Sequence, residues 1–287
     1  MRLYPINTGF FKLDGGAMFG VVPKSIWQKT NPADSNNMCT WAMRCLLVEE
    51  GNRLILVDCG IGNKQSEKFF GYYDLHGTDS LDGSLGQYGF TRNDITDVFL
   101  THLHFDHCGG AIAYDTHKER YYPAFPNASF HSTERHWLWA TRPNPREKAS
   151  FLSENILPIQ ESGRLEFLAR PDKTRIGRGL MEGMEVFFAD GHTDSQMIPL
   201  FRLGNRTLAF MADLLPSTGH IPLAYVMGYD TRPLLTLDEK EQFMKMAADN
   251  EWILFLEHDS INECCTVEHT EKGIRLKYSG KLSDFAG

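Results

Sequence analysis

The stretch Thr101-His102-Leu103-His104-Phe105-Asp106-His107-Cys108-Gly109-Gly110 decides how this chain is read. Four metal-ligating side chains fall within six residues, in a protein with only 11 histidines among 287 residues. Imidazole and carboxylate bind first-row divalent metals well, and a pair of metals needs about seven such groups. His102 and His104 alternate with Leu103, so in an extended loop both imidazoles can face one metal. Asp106 and His107 are adjacent, and the turn can aim them at a second metal. Gly109 and Gly110 permit the tight turn and close backbone approach that follow. A solvated cluster of surface histidines is the bland alternative, and the density of ligands argues against it.

Outward from this loop, further ligand types stand at the ends of apolar runs. Residues 98–100 form a short strand that runs straight into the histidine-rich loop. Residues 40–48 and 53–57 flank the turn Glu49-Glu50-Gly51-Asn52, a hairpin signal. Strand-like runs at 184–189, 207–210 and 252–256 lead into His192, Asp213 and His258 respectively. Sites are usually built where rigid scaffold hands over to loop. Taken singly, these residues read as a loop histidine, a helix-capping aspartate and a core-edge histidine. Taken with the first cluster, they complete a set of seven ligands: His102, His104, Asp106, His107, His192, Asp213 and His258. Helical patterns cover residues 133–140 and 238–249, with Thr133 and Asp238 as the expected N-caps. Strands and helices alternate without a clean βαβ rhythm, which points to a layered α/β domain.

Composition excludes several classes. Hydrophobic residues make up 42% and charged residues 23%, as in a globular protein. The net charge of −8 argues against nucleic acid, whose binders rely on cationic contacts to phosphate. No apolar run approaches the ~20 residues that cross a bilayer, and the opening residues do not lead one to expect a secretion signal. The expectation is a cytoplasmic protein without nucleic-acid or membrane partners, acting on a small molecule, with a homodimer left open. The six cysteines include no Cys-x-x-Cys pair and read as reduced, buried thiols.

The His-x-His-x-Asp-His motif, the Gly191-His192-Thr193 segment, Asp213 and His258 occur in the order of the metallo-β-lactamase superfamily, which this chain resembles. The run Leu54-Ile55-Leu56-Val57-Asp58-Cys59-Gly60 looks like the superfamily's first motif. The resemblance extends from about residue 40 to 260 and implies a four-layered αββα sandwich. It therefore implies one domain over 1–287, with an aromatic-rich insert around 111–183. It also implies that His102, His104 and His192 hold one metal, that Asp106, His107 and His258 hold the other, and that Asp213 bridges. Asp58 would support the ligands from behind.

Within the superfamily, Gly15-Gly16-Ala17-Met18-Phe19-Gly20 and residues 213–223 look most like the quorum-quenching N-acyl homoserine lactonases, and more loosely the methyl parathion hydrolase group. Many such lactonases carry a tyrosine three residues after the bridging aspartate, where this chain has Pro216; Tyr225 or Tyr229 are the nearest substitutes in sequence. The function implied is a dinuclear metal-dependent hydrolase of lactones or related esters. A phosphotriesterase, a glyoxalase II-like thioesterase and, on the same fold, a di-iron oxidoreductase are the alternatives. Two divalent ions sharing a water lower its pKa from 15.7 to near ~7, so a bridging hydroxide becomes the nucleophile. Asp106 is the candidate to pass a proton to the leaving alkoxide. Zinc is the first choice of metal, with manganese, iron and cobalt also suited to His and Asp. Met18, Phe19 and Phe105 are expected to wall an acyl-chain site, with His220 and Tyr225 beside it.

Overall fold

The computed structural model describes residues 1–285. Its contacts divide into two compact units, Met1–Gly9 with Met43–Arg170, and Phe10–Ala42 with the chain from Pro171 onward. Two long strands, β1 (Arg2–Asp14) and β2 (Met38–Glu50), pass from one unit to the other. With β3 (Arg53–Val57), β4 (Asp97–Phe99), β7 (Ser129–Ser132) and β8 (Leu165–Phe167) they form one sheet in the order β1-β2-β3-β4-β7-β8.

In the first unit the β2–β3 hairpin is tighter than its sequence suggested. Pairing continues to Glu50↔Arg53, leaving Gly51, at φ +57°, and Asn52 as the turn. Strands β3, β4, β7 and β8 run parallel, with Leu56 beside Val98, Val98 beside Phe130 and Phe130 beside Leu165. Leu56, Val98 and Phe130 are fully buried in a core completed by Leu47, Leu100, Phe125 and Ile159. Parallel neighbours end side by side, and ligand sites of α/β sheets gather at such carboxyl ends. Here the ends of β3 and β4 release Asp58 and Thr101-His102 next to each other, joined by the Asp58 N–H donating to the Phe99 carbonyl at 2.9 Å. Helices α3 (Glu67–Gly71), α4 (Leu81–Gln87), α5 (Phe105–Cys108), α6 (Glu134–Thr141) and α7 (Ser153–Glu161) complete the unit with a hairpin, β5 (Ile112–Asp115) and β6 (Arg120–Pro123). Thr133 caps α6 as expected, accepting the His136 N–H at 2.9 Å. The aromatic-rich stretch thus resolves into short strands and helices from β5 onward.

The second unit carries α1 (Gly15–Phe19), α2 (Lys24–Trp27) and a sheet in the order β15-β14-β13-β12-β11-β10-β9. Its strands are β9 (Ile176–Arg178), β10 (Met184–Ala189), β11 (Gln196–Leu203), β12 (Arg206–Phe210), β13 (Ile253–Phe255), β14 (Cys264–Thr270) and β15 (Gly273–Gly280). Strands β12 and β13 pair in parallel, so Asp213 and His258 both follow carboxyl ends of neighbouring strands. The helix expected from Asp238 starts earlier, as α8 (Pro233–Asp249), which corrects the N-cap assignment. Pro233 occupies the first helical turn, where its fixed φ suits the helix and its missing N–H costs nothing. All six cysteines are buried thiols, none in a disulfide. Among the described residues, no helix is long and apolar enough to cross a membrane.

Candidate functional site

In the first unit, Asp58 organises the ligand loop. Its buried carboxylate accepts the Thr101 N–H at 2.8 Å, the Thr101 hydroxyl at 2.6 Å and His107 Nδ1 at 3.0 Å. Asp58 itself sits at φ +56°, a conformation few non-glycine residues adopt, held by this network. With Nδ1 of His107 occupied by a carboxylate, the lone pair is left on Nε2, the arrangement that second-layer partners impose on metal-binding histidines. His102 Nδ1 lies 3.1 Å from the Thr101 hydroxyl, and its Nε2 lies 3.0 Å from Nδ1 of His104. Two nitrogens on one tetrahedral zinc, each at ~2.0–2.1 Å, are separated by about 3.3 Å, so this pair is already spaced for a shared ion. The far nitrogen of His104 stands 3.4 Å from Glu147, which also accepts the Trp139 indole N–H at 2.7 Å. Asp106 and His107 come within 3.6 Å of each other.

The loop is held by backbone as well as by side chains. The Cys59 N–H donates to the His107 carbonyl at 2.9 Å, and His136 Nε2 accepts the Leu103 N–H at 2.9 Å. A Cβ at Gly109 would lie 2.1 Å from the Ile61 carbonyl oxygen, and one at Gly110 would lie 2.0 Å from that of Cys59. The two glycines therefore supply the close approach that their sequence position implied. Phe105 is buried against Phe69 and Tyr73, with ring centroids 5.4 and 4.7 Å away. Burial and the neighbouring Asp106 carboxylate push the Tyr73 phenol up to about 12. The phenol beside Asp106 thus comes from residue 73, which no motif singled out.

In the second unit, Asp213 lies between two histidines. One carboxylate oxygen is 3.1 Å from His192 Nε2 and the other 3.0 Å from His258 Nε2. Both rings are held from behind: His192 Nδ1 is 3.0 Å from Asp230, and His258 Nδ1 donates to the Ala42 carbonyl at 2.8 Å. Burial would lower the His192 pKa, but Asp213 and Asp230 override it and hold the imidazole at about 10. Ions at such a site displace that proton, which couples binding to pH. Asp230, like Glu147, was invisible in the sequence because it sits 38 residues from the histidine it orients.

Met18 and Phe19, expected to wall an acyl-chain site, and His220, expected beside it, instead pack inside. Phe19 is fully buried between His220, at 4.2 Å and 6° between planes, and Trp27, at 5.3 Å and 3°. His220 accepts or donates at both ring nitrogens, with the Ser217 hydroxyl at 2.8 Å and the Met18 carbonyl at 3.0 Å, and burial pushes it down to about 3. Met18 is buried too, so Met18, Phe19 and His220 present no surface to a ligand. The apolar entry Ala17-Met18-Phe19 is explained by core packing. Tyr225 is half-buried and Tyr229 exposed.

Residues 44–258 match the family model of the metallo-beta-lactamase superfamily. The chain belongs to that superfamily. Its α/β fold is the metallo-β-lactamase fold, and the enzyme is a hydrolase of this superfamily with His/Asp groups able to hold metal. Among solved structures, this metallo-β-lactamase-fold hydrolase is similar to a probable metal-dependent hydrolase from Staphylococcus aureus, with 26% identity, a TM-score of 0.85 and coverage of 97% of this chain and 96% of the other. It is also similar to AidC, a dizinc quorum-quenching lactonase, with 22% identity, a TM-score of 0.77 and coverage of 96% and 93%. The hydrolase AbOPH follows with 18% identity, a TM-score of 0.75 and coverage of 96% and 92%. Among curated proteins, none matches this chain by sequence.

Proposed function

We propose that the seven side chains act on two divalent ions, with zinc the first choice, and that the enzyme opens lactones or related esters. His102, His104 and His192 would hold one ion, Asp106, His107 and His258 the other, and Asp213 would bridge them, both units working as one domain. The observation that carries this reading is Asp213, whose two oxygens each face a different histidine nitrogen at 3.0–3.1 Å. A carboxylate offered to one ion alone needs no second imidazole on its other oxygen. Bound there, divalent ions would supply Lewis-acid chemistry, lowering the pKa of a bound water towards ~7 and polarising a substrate carbonyl. Asp106 would relay to the departing alkoxide the proton given up by the attacking water. Phe105, with Phe69 and Tyr73, gives the region beside Asp106 an apolar character suited to an acyl chain, and the Tyr73 phenol stays a neutral hydrogen-bond donor at neutral pH. The lactonase activity named for AidC favours acyl homoserine lactones as the first substrates to try.

The test is a panel of acyl homoserine lactones, thioesters and phosphotriesters, assayed with zinc-loaded and chelator-stripped protein. Lactone hydrolysis that disappears on stripping and returns with zinc is the expected result. Fast thioester or phosphotriester turnover beside inert lactones would reassign the substrate. Equal rates in stripped and loaded protein would remove the metal-dependent reading altogether.

A further inference from the structure

The buried pair Glu239 and Lys240, neighbours on α8, has no part in the ligand set, yet both side chains are among the least exposed in the protein. Glu239 gathers backbone N–H groups. Its Oε1 accepts from the Asp190 N–H at 2.8 Å and from the Arg175 guanidinium at 2.6 Å, while its Oε2 accepts from the Asp190 N–H at 3.0 Å and from the Gly191 N–H at 2.9 Å. Lys240 gathers backbone carbonyls. Its Nζ donates to His220, to Pro222 at 3.0 Å, to Tyr225 at 2.9 Å and to Leu223 at 3.5 Å. The first set belongs to the loop that presents His192, and the second to the loop that follows Asp213.

The helix is seated tightly on the His192 loop. A Cβ at Gly191 would lie 2.3 Å from the Thr236 nitrogen, so only glycine lets α8 come this close. Residues just before the helix complete the grip: the Arg232 N–H donates to the Gly191 carbonyl at 2.9 Å and the Thr231 N–H to that of His192 at 3.1 Å. Buried charges are costly unless fully hydrogen-bonded, and here Glu239 is met by backbone N–H groups of one loop together with the Arg175 guanidinium, and Lys240 by backbone carbonyls of another. A core that needed only packing would place apolar residues at both positions.

We infer that Glu239 and Lys240 are positioning residues: Glu239 fixes the loop carrying His192, and Lys240 fixes the loop of residues 220–225, so that one helix sets the placement of both. The inference rests on His192 being a metal ligand. Outer-layer partners of ligating residues typically tune metal affinity by ~10–100-fold, which sets the expected effect.

Glu239→Gln and Lys240→Met in the full chain separate the two roles, read by zinc affinity against a chelating dye, by amide hydrogen exchange and by thermal unfolding of metal-free protein. Glu239→Gln should speed exchange at Asp190 and Gly191 and weaken zinc ~10–100-fold, with residues 217–226 unchanged. Lys240→Met should speed exchange over residues 217–226 and leave zinc affinity within about twofold of wild type, a crossed pattern that general destabilisation cannot produce. If Lys240→Met does not fold, Glu239→Gln alone decides. Wild-type zinc affinity and wild-type exchange at residues 190–191 in Glu239→Gln would overturn the inference. A wild-type protein that takes up no zinc would instead remove the proposed function itself.

Discussion

Replacing Asp58 with asparagine changes one oxygen to an amide nitrogen, and the structure leaves that amide no neutral choice. The carboxylate accepts from the Thr101 N–H, the Thr101 hydroxyl and His107 Nδ1, all within 3.0 Å. If the amide oxygen stays with the Thr101 N–H, the NH₂ group faces His107 Nδ1. The ring must then move its proton to Nε2, and the lone pair needed for a metal is lost. If the amide turns over, His107 keeps its tautomer but the buried Thr101 N–H faces a donor, at a cost of about 1–3 kcal/mol. The positive φ at Asp58 adds nothing further, because asparagine tolerates that conformation. The expected outcome is a ~10–100-fold loss of zinc affinity, equivalent to about 1.4–2.7 kcal/mol, together with a lowered denaturation midpoint of the metal-free protein. Competition with a chelating dye and urea unfolding measure the two. Wild-type affinity and midpoint together would refute the argument that Asp58 sets the His107 tautomer.

Elemental analysis should find two zinc ions per chain in reconstituted wild type and fewer than one in Asp213→Ala, because both sites lose their shared carboxylate; an unchanged count would detach Asp213 from metal binding. Gly110→Ala should cost ~2 kcal/mol or more in urea unfolding, since the new methyl must displace the Cys59 carbonyl. Phe19→Ala should destabilise by about 3–5 kcal/mol through loss of a buried stacked ring, and should leave the acyl-chain preference of kcat/KM unaltered. Asp97 is raised by burial but held below 3.8 overall by hydrogen bonds from His131 and Thr96 and by the nearby His131 and Arg53 charges. It therefore contributes stability at neutral pH that is lost as pH falls through its folded pKa, below about 4. Asp97→Asn should lower the unfolding midpoint at pH 7 and flatten that acid limb; an identical pH profile would exclude Asp97 as a contributor.

The candidate ligands were legible because metal chemistry demands particular side chains at close spacing, and the run from His102 to His107 has no cheap structural explanation. The strands leading to His192, Asp213 and His258 were legible for a related reason: short apolar runs that stop at a polar, glycine-containing or acidic turn mark the end of a buried strand. Strand β1 and the β14–β15 hairpin carried no such mark, since long, half-buried strands mix both residue classes. Apart from Asp58, what holds these side chains in place could not be read. Asp230 orients His192 and Glu239 anchors its loop across 38 and 49 residues of chain, and only a folded backbone brings those groups within 3 Å. The same holds for Met18 and Phe19, whose apolar character fits a ligand wall or a core equally well. Hydrophobicity determines that such side chains leave water; which surface they meet is decided by packing, and here Trp27 and His220 reach Phe19 first.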